Sequence, residues 1–228
     1  MIKEEKEMGF NIAIDGPAGA GKSTVAKMIS KEMGFIYVDT GAMFRAIAIY
    51  FMRNDINPED NSKVEEACKN IDVAIKYEDG AQQVLLNGEN VTGQLRTQEV
   101  GDMASRASVN PAVRSKLLEL QRKLAEENDV VMDGRDIGTV VLPKAQLKIF
   151  LTASSRVRAI RRVGELKEKG INADLDTTEK EIIERDKRDM NRPVAPLKQA
   201  EDAIALNTDA MDAEAVAKAI MTYARALR

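Results

Sequence analysis

Apolar residues change their spacing along the chain, and each change predicts an element. Phe10-Asn11-Ile12-Ala13-Ile14-Asp15 is an apolar run of strand length, after which Val25, Ala26, Ile29 and Met33 recur at helical spacing. Phe35-Ile36-Tyr37-Val38-Asp39 predicts a second buried strand, followed by a helix from Ala42 to about Arg53. Further strands are predicted at Asp129–Asp133, Leu147–Leu151 and Ala203–Leu206. Helices fill the intervals: residues 58–70 begun by Pro58, Thr97 to Ala107, and Pro111 to about Glu127, the last with Val113, Leu117, Leu120 and Leu124 on one face. An amphipathic helix from about Asp212 to Leu227 closes the chain. Strands alternating with helices predict an α/β fold, a parallel sheet covered by helices on both faces, with ligands gathered at the carboxyl ends of its strands.

One stretch breaks that rhythm. Val73, Ile75 and Tyr77 alternate with polar residues, Glu78-Asp79-Gly80 reads as a turn, and Val84-Leu85-Leu86 leads into Asn87-Gly88, a tight-hairpin signal. A small antiparallel insertion follows, either a decorative excursion or an arm that closes on a second substrate.

Between the first strand and first helix lies Gly16-Pro17-Ala18-Gly19-Ala20-Gly21-Lys22-Ser23-Thr24, a complete P-loop in its expected strand-to-helix context. Its glycines let backbone N–H groups turn inward onto phosphates, and the following helix adds its unpaired amides and positive dipole end. Lys22 is placed to bridge the outer phosphates of a nucleotide such as ATP, and the Ser23 hydroxyl to complete the shell of a Mg²⁺ that keeps several waters. An apolar strand ending in Asp133 has the pattern of a Walker B element, so Asp133 is expected to orient that water shell.

The 228 residues, 44% hydrophobic and 31% charged, suffice for one sizeable core with a small appendage. A net charge of −3 argues against a global field for nucleic acid or an anionic membrane, so any anion site must be a local cluster of arginines. Cys68 is the one cysteine and reads as a small buried hydrophobe, and with no histidine a structural zinc site is nearly excluded. No run of about 18 apolar residues suggests a membrane span, and Met1–Glu7 lacks the apolar segment of a signal peptide, so a cytoplasmic protein is expected; no long apolar face is left over once the core helices are placed, so a monomer is expected.

Arginines are concentrated where the elements predict ligands. Thr40 and Arg45 follow the second strand, Ser105, Arg106 and Arg114 flank a break between helices, and Asp133-Gly134-Arg135-Asp136 ends the third strand. Arg156, Arg158, Arg161 and Arg162 share one helix and Arg185, Arg188 and Arg192 a later one, with residues 169–174 between them. Such runs are commonly solvated faces, but two arginine-bearing helices around a polar turn also suit a lid that lowers cations onto phosphates.

These segments together resemble the bacterial-type cytidylate kinases, P-loop nucleoside monophosphate kinases. The resemblance extends from about Phe10 to Arg225 and rests on the P-loop, Asp39–Arg45, the β-insertion, Arg96–Val100, Asp133–Val141 and Arg185–Arg192. It implies a single kinase domain over 1–228, with a core at about 9–57, 108–153 and 194–228, a monophosphate-binding insertion at about 58–107 and a lid at about 154–193. The implied reaction is transfer from ATP, with Mg²⁺, to CMP or dCMP. Arg45, Arg135 and Arg192 would hold the acceptor monophosphate beside Thr40, which stands where the family often has serine. Ser105, Arg114 and Asp136 would read the base, Arg185 and Asp189 contact the sugar, and Arg158 and Arg162 reach the transferring phosphates.

The residue types suit cytosine, whose amine asks for a carboxylate or hydroxyl and whose N3 and O2 ask for a cationic donor. Uracil would leave an acceptor facing an acceptor, at a cost of about 1–3 kcal/mol per group. Phosphoryl transfer needs positioning and charge stabilisation more than a protein nucleophile, so the absence of histidine is no obstacle. Two other readings stay open at this point: a P-loop kinase with another small acceptor such as UMP or AMP, and a nucleotide-hydrolysing switch protein. The acidic balance and few aromatics weigh against a nucleic-acid-binding module.

Overall fold

The computed structural model describes residues 9–78, 81–168 and 170–228. Strand β1 (Asn11–Asp15) is wholly buried and passes through the P-loop into helix α1 (Lys22–Met33), which ends at Gly34 with φ 71°. Strand β2 (Ile36–Asp39) runs directly into α2 (Thr40–Arg53). This helix starts two residues before the expected Ala42 because the Asp39 carboxylate caps it, accepting from the Ala42 amide at 2.9 Å. Helix α3 (Asn61–Asn70) starts later than Pro58, since Asp60 is its cap and accepts from the Lys63 amide.

Strands β3 (Val73–Glu78), β4 (Ala81–Leu86) and the two-residue β5 (Glu89–Asn90) form the antiparallel insertion, with Asn87 and Gly88 at φ 49° and 83° in its tight turn. Asp79 and Gly80, the rest of the expected β3–β4 turn, lie outside the described residues, as do residues 1–8. Helix α4 (Gln98–Ala107) is capped by Thr97 and α5 (Pro111–Glu127) by Asn110, with Pro111 in the first turn where its missing N–H costs nothing. Strands β6 (Val130–Gly134) and β7 (Leu147–Thr152) flank a π-helical turn at Ile137–Val141 that no periodicity announces. Helices α6 (Ser155–Glu168) and α7 (Leu175–Met190) pack on each other, and β8 (Ile204–Asn207) and α8 (Ala213–Leu227) complete the chain.

The five core strands lie in the order β2-β6-β1-β7-β8, all parallel. From β1 the chain leaves toward one edge to make β2 and returns to place β6 between them, whereas β7 and β8 extend the other side, so the order reverses beside β1. The crevice of such a sheet opens at the carboxyl end of that strand, where the P-loop begins. Alternation along the strands divides the core in two. Ile12, Ile14 and Val131 pack with α1 and α8, whereas Ala13, Val38, Val130 and Met132 face the cluster built from α2, α3, α4 and α5.

The insertion is fastened to the sheet. The Tyr77 hydroxyl donates to the Tyr37 carbonyl at 3.0 Å, and the Gln82 side-chain amide pairs with the Asp39 backbone, accepting from its N–H at 2.8 Å and donating to its C=O at 3.4 Å. These side chains satisfy the exposed edge of β2 in place of another strand. Cys68 is buried in α3. Among the described residues no helix is long and apolar enough to cross a membrane.

Candidate active site

The P-loop is held by contacts that only its backbone geometry permits. Gly16 lies at φ 147°, and a Cβ there would sit 2.0 Å from the Leu151 carbonyl oxygen. Lys22, 6% exposed, folds back over the loop and donates to the Gly16 and Pro17 carbonyls, each at 2.8 Å. Burial and the nearby charge of Arg135 push its pKa down to about 7, against the pull of Asp133 and Asp15. Pro17, Ala18, Gly19, Ala20 and Gly21 complete the loop, and Ser23 and Thr24 stand in the first turn of α1.

Asp133 closes the floor of the crevice. Its carboxylate accepts from the Ser23 hydroxyl at 3.0 Å and from the Tyr37 hydroxyl at 2.9 Å, and its backbone carbonyl accepts from Thr40 at 2.7 Å. Burial, then the charge of Asp39, lifts its pKa to about 6. Ser23 and Asp133 thus present adjacent hard oxygens beside the phosphate loop. No group of three or more metal-ligating side chains exists among the described residues. That donor set fits a Mg²⁺ held chiefly by phosphate oxygens and water.

On the other side of Arg135 the cations gather. Arg135 donates to Asp189 at 2.8 Å, and Arg192 lies 3.8 Å from the same carboxylate while donating to the Ser108 hydroxyl at 3.0 Å. Arg185 from α7 has a buried Nε without a partner, and a buried Arg192 terminal nitrogen is likewise unpaired. Arg45 from α2 makes no side-chain hydrogen bond among the described residues. Burial and the positive charge of Arg135 lower the pKa of Arg185 to about 10; Arg45 and Arg192 are also held below the usual arginine range, chiefly by burial. Burial alone would raise Asp189, but Arg135 and Arg192 outweigh it and hold this carboxyl below the ordinary range. Three guanidiniums, Arg135, Arg185 and Arg192, therefore share Asp189, with Arg45 nearby under the charge of Asp39, leaving a half-buried concentration of positive charge that an anion would relieve.

Beside this cluster, Arg114 from α5 pairs with Asp136, donates to the Ser108 carbonyl at 3.2 Å and lies over the Phe44 ring at 5.8 Å. Burial raises the Asp136 pKa despite the cations of Arg114 and Arg192. Ser105, on α4, is half-buried, and its carbonyl accepts from the Ser108 hydroxyl at 2.8 Å. Ser108 was invisible as a motif, a plain serine in a helix break; only the return of α7 past that break brings Arg192 onto it.

The arginines of α6 differ in placement. Arg158 is 4% exposed and donates to the P-loop carbonyl of Ala18 at 3.1 Å, to Ala153 at 2.9 Å and with both terminal nitrogens to Asp186. It touches the phosphate loop but is engaged on every side. Arg162 is on the outer part of α6, paired at 3.4 Å with Glu165, while Arg156 is taken up by Asp176 and Glu179 and Arg161 by Thr208.

A phosphate loop at the sheet's switch point, beside a cluster of half-buried arginines, is the arrangement of a P-loop phosphotransferase with an anionic acceptor. Residues 12–226 match the sequence model of the cytidylate kinase family. The chain is 48% identical over 212 residues to the cytidylate kinase of Caldicellulosiruptor bescii, covering 93% of this chain and 94% of that protein. It is 44% identical to that of Thermotoga neapolitana, covering 94% and 96%. A solved structure of an uncharacterized protein from Eubacterium ventriosum shares the fold, with a TM-score of 0.53 at 14% identity over 95% of this chain and 98% of that one. The chain belongs to the cytidylate kinase family.

Proposed function

We propose that this chain transfers the terminal phosphoryl group of ATP to CMP and dCMP, giving ADP and CDP or dCDP. The observation that carries the reading is the position of Arg135. It directly follows β6, whose Asp133 accepts from Ser23 of the P-loop, and it donates to Asp189 of the arginine cluster at 2.8 Å, so donor and acceptor phosphates would meet across it.

The acceptor's phosphate would be taken by Arg45, Arg135 and Arg192 next to Thr40, which relieves their mutual repulsion on binding. Arg185 and Asp189 would engage the sugar. Asp136 and Ser105 offer acceptors for the cytosine amine while Arg114 offers donors for the ring's acceptor side; uracil would find one of these polarities reversed. On the donor side the loop amides of Gly16–Thr24 would cradle the ATP phosphates, and Lys22 would leave the Gly16 and Pro17 carbonyls for them. Ser23, with Asp133 acting through water, would hold a Mg²⁺, which when bound neutralises charge on the phosphates. Arg158 at the Ala18 carbonyl, and Arg162 after movement of α6, would add cations to the transferring group, and closure of α6 and α7 would exclude water.

The test is ADP release from Mg-ATP with CMP, dCMP, UMP, AMP, GMP or no acceptor. Fast turnover with CMP and dCMP, slow turnover with UMP and almost none without acceptor is expected. A preference for AMP or UMP would remove the base-reading roles, and release independent of any acceptor would remove the acceptor pocket.

A further inference from the structure

Asp15 is the last residue of β1, directly before Gly16, and only 4% exposed. Its carboxylate receives two backbone amides, Ile137 N–H at 2.8 Å and Gly138 N–H at 2.7 Å, from residues more than 120 positions away. Those two amides open the π-helical turn Ile137–Val141, and the first amides of any helical turn have no partner inside it. The residue that ordinarily meets this need is the one just before the turn, through its own side chain. Here that residue is Asp136, a favourable capping type, yet its side chain makes no capping bond and is given instead to Arg114.

We propose that Asp15 is a positioning residue for acceptor selection: by capping the Ile137–Val141 turn from the neighbouring strand, it frees Asp136 to face the acceptor base and fixes Arg135 and Asp136 relative to the phosphate loop. The proposal rests on the reading of Asp136 as a base-reading residue. Without the Asp15 carboxylate the two amides are left without their acceptors, and Asp136, which holds the capping position, can turn back toward the Gly138 N–H. Arg114 then loses its partner, and the carboxylate that meets the cytosine amine is withdrawn. Because Asp15 also ends the strand that feeds Gly16, the same residue ties the acceptor-reading turn to the donor loop through a rigid element of the sheet.

The first variant is Asp15→Asn, which keeps the size but offers one carbonyl oxygen for two amides. Its purified form is measured for thermal melting and for steady-state kinetics with CMP, UMP and ATP each varied. The expected result is a rise of about tenfold in KM for CMP and a fall of about tenfold in the CMP-to-UMP ratio of kcat/KM, with KM for ATP within about twofold, for the loss of one buried polar contact at the base. A second variant approaches from the opposite side: a Cβ on Gly138 would lie 3.3 Å from the Asp15 carboxylate and 3.1 Å from Lys148, so Gly138→Ala should displace the turn and shift the same ratio more weakly. Equal changes in both KM values, or lowered melting with an unchanged CMP-to-UMP ratio, would overturn the proposal and leave Asp15 a stabilising residue only. Asp136→Asn assayed alongside separates the two levels. If it too leaves selectivity unchanged, the base-reading assignment itself fails; if it lowers selectivity while both other variants do not, only the role of Asp15 fails.

Discussion

The two halves of the crevice, proposed above for donor and acceptor, are built in opposite ways. The donor half is nine consecutive residues whose backbone does most of the work, and its one cation, Lys22, is satisfied by two carbonyls of its own loop. The acceptor half is made of side chains from α2, α4, α5, the turn after β6 and α7, and its arginines repel one another with unpaired nitrogens buried among them. The first takes its shape from its own backbone; the second gathers like charges that a bound anion would relieve. A loop of amides is positioned by chain geometry, whereas a ring of guanidiniums holds together only because the surrounding helices force it to.

The largest effect should come from the donor side. Lys22→Ala is expected to lower kcat by about 10²–10³-fold with the fold kept and KM for CMP little altered, since a preorganised donor to the transferring phosphates is lost. Circular dichroism with steady-state kinetics checks this, and near-normal turnover would break the assigned role. Arg185→Ala should separate the two halves. Loss of a charge-assisted contact should raise KM for CMP by about 10–100-fold, while melting without ligand stays level or rises, because a guanidinium with a buried unpaired Nε and like-charged neighbours is gone. A marked loss of stability would show that the pocket is not strained by its own charge.

Asp136→Asn should lower the CMP-to-UMP preference by about tenfold or more, leaving the response to ATP unchanged, as one buried polar match is exchanged for a mismatch. The smallest effect concerns pH. Burial lifts the Asp15 pKa from 3.8 to about 6, against the amides of Gly138 and Ile137, with Asp136 raising it further and Lys22 opposing. The folded state therefore binds more protons than the unfolded one between these values, and the stability due to this group is present below about pH 4 and lost as pH rises toward 6. Across that interval wild type should lose on the order of 2 kcal/mol relative to Asp15→Asn in urea unfolding, with Lys22, Asp136 and Lys148 common to both chains. A difference independent of pH would mean that Asp15 keeps an ordinary pKa.

The α/β fold with its parallel sheet, the P-loop, Asp133 and the antiparallel insertion could all be read from spacing, because strand and helix periods and turn residues are local signals. The helix starts were less legible: Asp39 and Asp60 cap α2 and α3 at points that the apolar spacing and Pro58 did not mark. The insertion's role was left open by its pattern; Tyr77 and Gln82 tie it to the edge of β2 through contacts some forty residues apart.

The arginine runs show most clearly what sequence and tertiary structure each contribute. Arg156, Arg158, Arg161 and Arg162 look alike as a run on one helix, yet one is buried against the P-loop and three are spent on other partners. Sequence alone determined where the phosphate loop lies, since nine contiguous residues carry that geometry in their own backbone, and its motifs together pointed to the family. Only the tertiary structure decided how the acceptor pocket is assembled and held. Arg45, Arg135, Arg185 and Arg192 are scattered over some 150 positions, and Asp15 reaches its amides across more than 120. Nothing local records those meetings, because their energy comes from burial and charge that exist only once distant elements are packed together.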